Sequence, residues 1–404
     1  MAEQDSEHSI HVVLLPNQSQ GHIKPILTFG KRLAAHRGVR CTLVVTRFVL
    51  GQSGEPSPGA GGAVHIAAIS DGCDRGGYGE AGGIEAYTAR LESAGSETVG
   101  ELLRSEAAEQ GRPVRALVYD AFLPWAQQVG RRHDAACAAF FTQPCAVDVA
   151  YGHAWAGRLG EEEPLDLPGL RPADLPMFLT DPDDRGYLDL LVNQFGGLDT
   201  ADQPQESDYM ASTWRAKTVG PAVPSSAYLD NRTGEDEGMA GRSVVYASFG
   251  SIAKPDAAQM AEGLYNTGKA FPWVVRASES SKLPENFTDM AKERGLVVTW
   301  SPQLEVVAHP AVGCFVTHCG WNSTMEGLGA GVPCADGGDA AWSDQSMNAK
   351  YIEDVWRVGV RVRLDEDGVV RKKELEKREK AKRAMSEGGS SDKNILEFLG
   401  KLGL

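Results

Sequence analysis

Hydrophobic positions along the chain fall into short continuous runs separated by stretches with helical spacing. Ile10–Leu15 (IHVVLL), Cys41–Thr46 (CTLVVT), Val64–Ile69, Ala116–Tyr119 and Cys137–Phe141 are apolar runs of strand length. Between them, Pro25–Ala35, Ile84–Glu109 and Leu123–Arg132 carry apolar residues at helical period. After a polar, Gly/Pro-rich stretch around Pro221–Gly241 the rhythm restarts. It predicts strands at Ser243–Phe249, Trp273–Arg276, Leu296–Thr299 and Cys314–Thr317, with helices at Asp256–Lys269, Leu304–Ala308 and Asn322–Ala330. Continuous apolar strands alternating with helices imply α/β domains, each a parallel sheet covered on both faces. Open sheets of this kind bind ligands beyond the carboxyl ends of their strands. Two of them facing each other would hold a ligand in the cleft between.

Composition narrows the class. A chain of 404 residues, 42% hydrophobic and 24% charged, is an ordinary globular protein long enough for two cores. The net charge of −15 argues against a nucleic-acid partner and keeps the chain soluble. An anionic ligand would have to be attracted by local dipoles against that global charge. The seven cysteines, with no CxxC pair, fit free thiols in a reducing compartment. The polar start MAEQDSEHS has no secretory pattern, and no apolar run is long enough to span a membrane. A cytoplasmic location is the expectation. The basic run Arg371–Arg383 is interleaved with Glu and reads as a solvated helix face.

Candidate chemistry concentrates in two places. In VTHCGWNSTME (Val316–Glu326) a strand ends, Gly320 permits a tight turn, and Asn322 or Ser323 is placed to cap the next helix, with Glu326 at capping-box spacing from Ser323. A helix start at a strand's carboxyl end binds phosphate through its N–H groups and dipole. His318, Asn322 and Ser323 add side-chain donors. By itself the turn is equally well read as an ordinary capped helix with a structural histidine. Its neighbours point to a ligand: Trp300 can stack on a base and Gln303 can pair with a base edge, while Asp344 and Gln345 in WSDQ suit sugar hydroxyls.

The second place is the QGH turn after the first strand. His22 lies there on the loop side of the sheet, suited to take a proton near neutral pH. Asp120 ends the strand Ala116–Tyr119. If that strand neighbours the first, Asp120 can hold the far nitrogen of His22. The alternative makes His22 a turn residue and Asp120 a helix cap. The remaining histidines (His8, His11, His36, His65, His133, His153 and His309) have no partner pattern, and no HxxH or HExxH spacing suggests a metal.

WSPQLEVVAHPAVGCFVTHCGWNSTMEGLGAGVP followed by WSDQSMNAKY resembles the donor box of plant family-1 UDP-glycosyltransferases. HVVLLPNQSQGHIKP near the start, VVYASFGS and EGGSSDKN extend the resemblance over most of the chain, towards grass glucosyltransferases that act on trichothecenes and other small hydrophobic alcohols. It implies a GT-B fold of two Rossmann-like domains: 1–225 for the acceptor, a linker at 226–242, 243–383 for the UDP-sugar, and 384–404 as a helix packing back on the first domain. It implies that Trp300 stacks on uracil with Gln303 near base and ribose, and that Glu326 holds the ribose. The stretch His318, Trp321, Asn322 and Ser323 would bind the diphosphate with Ser251 helping. Asp344, Gln345 and Thr142 would hold the sugar. His22 and Asp120 would be the catalytic pair. Acceptor candidates are Phe122, Trp125, Phe141, Tyr151, Trp155 and Phe195, although aromatics at such spacings more often fill cores.

The activity so implied is inverting transfer of glucose from UDP-glucose to a hydroxyl of a small terpenoid or phenol, in plant secondary metabolism and detoxification. UDP-glucose is a cosubstrate; no cofactor, metal, nucleic acid or membrane partner is expected, and the expected state is a monomer. Three stretches depart from the family pattern. The segment CADGGDAA after Pro333 is longer, GLDTADQPQESDYM lacks an apolar stretch, and Arg371–Ser386 is abbreviated. They keep open a second reading, a degenerate or engineered member that binds UDP, or simply folds, without efficient transfer. A Rossmann oxidoreductase fits poorly, because no GxGxxG follows a strand.

Overall fold

Two separate parallel sheets organise the chain in the computed structural model, which describes residues 10–52, 64–157, 174–180, 185–195, 216–220, 243–250, 257–337, 343–356, 358–361 and 390–401. The first sheet contains β1 (Ile10–Leu15), β2 (Val39–Thr46), β3 (Val64–Ile69), β4 (Val114–Asp120) and β5 (Ala136–Phe140) in the order β3-β2-β1-β4-β5. Every pairing is parallel. All six residues of β1 are buried, and the reason is two-sided packing. Val13 and Leu15 face a core with Leu91, Val99 and Leu103 of the helix Ile84–Ala108. Ile10, Val12 and Leu14 face another with Ile26, Phe29 and Leu33 of the helix Gln20–Ala34 and Leu399 of the helix Ser390–Lys401. Successive side chains thus feed opposite cores, so the strand reads as a continuous apolar run.

The second sheet contains β6 (Val244–Ser248), β7 (Phe271–Val274), β8 (Gly295–Val298), β9 (Val312–Thr317), β10 (Cys334–Asp336) and β11 (Gly359–Arg361) in the order β11-β10-β9-β6-β7-β8, again all parallel. Its two cores are built around Tyr246, Phe315 and Val312 on one side and Ala247, Phe271 and Trp273 on the other. In each sheet the first strand sits centrally and the order reverses beside it, at β1/β4 and at β6/β9. A doubly wound sheet opens its ligand crevice at that reversal, at the carboxyl ends of the strands.

By its contacts the chain separates into two compact units, Met1–Asp166 with Asp181–Ala222 and Ser391–Leu404, and Leu167–Thr180 with Val223–Ser390. Leu167–Thr180 therefore departs from the expected first domain of 1–225. The physical reason is a set of bonds to the second unit. Met177 N–H donates to Ser343 O at 3.2 Å, Ser346 Oγ donates to Leu175 O at 3.1 Å, and Lys350 Nζ pairs with Asp174 at 3.7 Å. The linker expected at 226–242 lies outside the described residues. Among the described residues, no helix is long and apolar enough to cross a membrane.

Candidate active site

The first helix begins at Gln20, ahead of the Pro25 start expected from sequence, with Pro25 inside it. His22 therefore stands in its first turn, just beyond β1. Leu15 of β1 is in register with Tyr119 of β4, so the residue that ends β4, Asp120, arrives beside that turn. His22 Nδ1 lies 2.7 Å from Asp120 Oδ2. Asp120 is buried, and its other oxygen accepts the Phe122 N–H at 3.0 Å. A carboxylate accepting from Nδ1–H leaves the lone pair on Nε2, the arrangement of an oriented general base. Thr142, expected at a sugar hydroxyl, has its Oγ1 3.0 Å from the same Nδ1. The end of β5 carries it to the histidine.

The acceptor candidates divide. Phe122 sits with its ring 4.9 Å from His22, tilted by 50°. Phe141, Phe195 and Trp155 form one aromatic group, with centroids 5.7 Å apart for Phe141–Phe195 and 6.5 Å for Trp155–Phe195. Trp155 is 40% exposed and Phe141 half-buried, while Phe195 and Tyr151 are fully buried. Trp125 belongs to the core instead of a ligand surface. It packs on Leu91 and its neighbours, and a Cβ at Gly95 would meet its Cη2 at 2.9 Å.

In the second unit β9 ends at Thr317, and His318–Gly320 lead into the helix Trp321–Ala330. The cap differs from expectation: Gly320 is the N-cap, no side chain caps the helix, and Asn322 and Ser323 fall inside its first turn. The left-handed residue of the turn is Cys319, at φ 58°, not Gly320. Gly320 is needed for space, since a Cβ there would lie 2.4 Å from His318 Nε2, and one on Gly250 2.8 Å from His318 Cε1. The imidazole thus occupies a slot between two glycines. Burial lowers its pKa to about 4, with the Arg276 guanidinium adding to the shift. Near pH 7 it is a neutral ring that can donate one hydrogen bond. Arg276, at the carboxyl end of β7, went unnoticed in the sequence; its only signal was the polar end of WVVR.

Gln303 begins the helix Gln303–Ala308, and its Nε2 donates to Ser323 Oγ at 3.0 Å and to Glu326 Oε2 at 2.8 Å. Glu326 is buried. A hydroxyl that accepts from Gln303 keeps its own O–H for a second acceptor. Trp300, just past β8, is 74% exposed, the largest exposure among the large hydrophobic side chains described. An indole so uncovered is a ready stacking surface. The Trp321 indole, expected at the donor, packs against Trp356 at 6.0 Å. Asp344 is the N-cap of the helix Gln345–Lys350, and Gln345 is buried at its first position. Ser251 lies outside the described residues. His22 and Asp120 follow β1 and β4, the strands at the reversal of the first sheet, and His318–Glu326 follow β9, a strand at the reversal of the second.

Known proteins resemble this chain in sequence and fold. The family model for UDP-glucoronosyl and UDP-glucosyl transferase matches residues 232–377. The chain is 44% identical over 453 residues to UDP-glucosyltransferase UGT13248 of Hordeum vulgare subsp. vulgare, covering 96% of this chain and 94% of that one. It is 41% identical over 462 residues to UDP-glycosyltransferase 79 of Oryza sativa subsp. japonica, covering 96% of each. Crystal structures of Os79 from O. sativa superpose on it, one holding a trichothecene with TM-score 0.82 at 41% identity, covering 97% of this chain and 100% of that one. Another, holding UDP, matches with TM-score 0.83 at 39% identity over the same shares. The Hordeum comparison spans 453 positions against 404 residues here, so part of the relative's length has no counterpart in this chain. With identity at this level over nearly its whole length, the chain belongs to the plant family-1 UDP-glycosyltransferases and has their GT-B fold.

Proposed function

We propose that this UDP-glycosyltransferase transfers glucose from UDP-glucose, with inversion, to a hydroxyl of a small hydrophobic acceptor such as a trichothecene or a phenol. The observation that carries the reading is the 2.7 Å contact between His22 Nδ1 and the buried Asp120 carboxylate. His22 Nε2 takes the acceptor hydroxyl's proton as that oxygen attacks the anomeric carbon. The bond from that carbon to the diphosphate breaks, and UDP leaves with the electron pair. Asp120 stabilises the imidazolium that forms. Attack opposite the leaving group turns an α-linked donor into a β-glucoside.

On the donor side, the uracil stacks on Trp300, Glu326 binds the ribose with Gln303 holding its carboxylate, and the diphosphate meets the start of the helix Trp321–Ala330. His318, Asn322 and Ser323 contribute donors there. Asp344 and Gln345 take the glucose hydroxyls. Os79 has been crystallised with a trichothecene and with UDP, which supports an acceptor and a donor of those classes here. The exposed or half-buried Phe122, Phe141 and Trp155 offer the apolar contacts such an acceptor needs. The seven free thiols suit a reducing compartment, and we assign the enzyme to the cytoplasm as a monomer.

Release of UDP from UDP-glucose on addition of a trichothecene or phenol, with a β-configured product by NMR, is the expected result. No release with any such acceptor, while UDP itself binds, would favour the second reading of a binding-competent but inefficient member. That reading draws on the positions of the Hordeum relative that this shorter chain lacks.

A further inference from the structure

Asn348 lies one turn into the helix Gln345–Lys350 and is 1% exposed. Its amide nitrogen donates to Cys319 O at 2.9 Å and to Asp344 Oδ2 at 2.6 Å. Both partners are acceptors, so only the NH2 end of the carboxamide fits there, and each of its two hydrogens has a target. The first target is the carbonyl of the left-handed residue in the turn after β9. A non-glycine residue holds that conformation only where its surroundings fix it, and here the carbonyl is held twice, by Asn348 and by Thr324 Oγ1 at 3.3 Å. That turn sets the direction of His318 and of the N–H groups that open the helix Trp321–Ala330. The second target is a carboxylate, and a hydrogen bond to a charged acceptor is the stronger kind. It fixes the Asp344 side chain at the start of its helix.

We propose that Asn348 is a positioning residue of the donor site, one carboxamide that ties the diphosphate-binding turn to the sugar-binding carboxylate. This rests on the donor-site reading given above. Without Asn348 the turn at Cys319 relaxes and Asp344 rotates away, so diphosphate and glucose are both held less well. The base and ribose groups, Trp300, Gln303 and Glu326, are untouched.

The test compares UDP, uridine and UDP-glucose. Calorimetric titration of Asn348→Ala should show UDP affinity reduced about tenfold, the scale of one or two lost buried hydrogen bonds. Uridine affinity should stay at the wild-type value. KM for UDP-glucose should rise more than the Kd for UDP, with a lower kcat. A residue that merely held the fold would weaken uridine and UDP alike, and that result overturns the proposal. So does wild-type UDP affinity in Asn348→Ala. If that variant does not fold, the pair Asp344→Asn with Asn348→Asp serves in its place. It restores a hydrogen bond between the two positions with donor and acceptor exchanged, but it offers Cys319 O nothing. It should fold and still bind UDP weakly with uridine unchanged; wild-type UDP affinity in it sinks the coupling to the turn. A wild-type chain that binds no UDP at all removes the donor-site reading, and this proposal falls with it.

Discussion

The base role proposed for His22 requires its proton on Nδ1, and that depends on a partner 98 positions away in the chain. Both residues were legible because each ends or follows a strand; that they meet required β1 and β4 to pair, which spacing alone could not show. Thr142 was legible as a strand-end residue but not as a neighbour of His22, since its place depends on β5 lying next to β4. His22→Ala should lower kcat by about 10²–10⁴, the usual contribution of a positioned general base, while KM for UDP-glucose stays near the wild-type value. Unchanged turnover would remove His22 from its role. Asp120→Asn should lower kcat as well, because an amide in that place favours the wrong tautomer. Gly320→Ala tests the slot around His318. The added methyl meets the ring at 2.4 Å, so the packed ring has to move, and UDP binding should weaken measurably in titration together with a fall in thermal stability.

Among the elements, Trp300 and Trp125 show how the same residue type serves opposite ends. Trp300 follows the short strand β8 and stands in solvent; Trp125 opens the helix Trp125–Arg132 and is covered by the helix Ile84–Ala108. Sequence assigns Trp300 a base to stack on and Trp125 an acceptor to line; it could not show that Trp125 packs inward, because its partner Gly95 is remote in the chain. Trp300→Ala should weaken UDP and uridine equally, by about 1–3 kcal/mol, the usual worth of stacking a base on an aromatic ring. Trp125→Leu should instead lower the unfolding temperature and leave acceptor KM unchanged; a raised acceptor KM at normal stability would return it to the ligand surface. The longer strands were legible as apolar runs, and the helices Gln20–Ala34, Ile84–Ala108 and Trp125–Arg132 from their period. The helix Cys145–Trp155 was not, because CAVDVAYGHAW is apolar nearly all round and has no face to detect. The strands β10 and β11, of three residues each, are too short for any period to register. The helix start at Trp321 was missed by its cap: glycine fills the position that Asn322 or Ser323 was expected to take.

For the whole molecule, a net charge of −15 disfavours any diphosphate, so the attraction must be local. In the proposed donor site the helix start at Trp321 and a neutral His318 would supply it, without a dense basic patch that the composition would have revealed. That neutrality links the site to the stability of the fold. His318 in the second unit is held to about 4 by burial. His11, within β1 of the first unit, is also lowered from 6.5, chiefly by burial, with the Arg40 and Arg112 charges adding and the Arg112 carbonyl and Glu106 opposing. An unfolded histidine titrates near 6.5. Below that pH the unfolded chain takes up protons that the folded units refuse, so stability is fully present above about pH 6.5 and declines as pH falls towards the folded values. The expected outcome is faster hydrogen exchange of the amides of both β1 and β9 between pH 7 and pH 5, after correction for intrinsic rates. Because the two histidines lie in different units, the responses should separate: His11→Gln flattens the dependence in β1 and leaves β9 alone, and His318→Gln does the reverse. Exchange that ignores pH over this window, or that changes in both strands with either substitution, would show that burial of these rings does not govern the acid stability of their units.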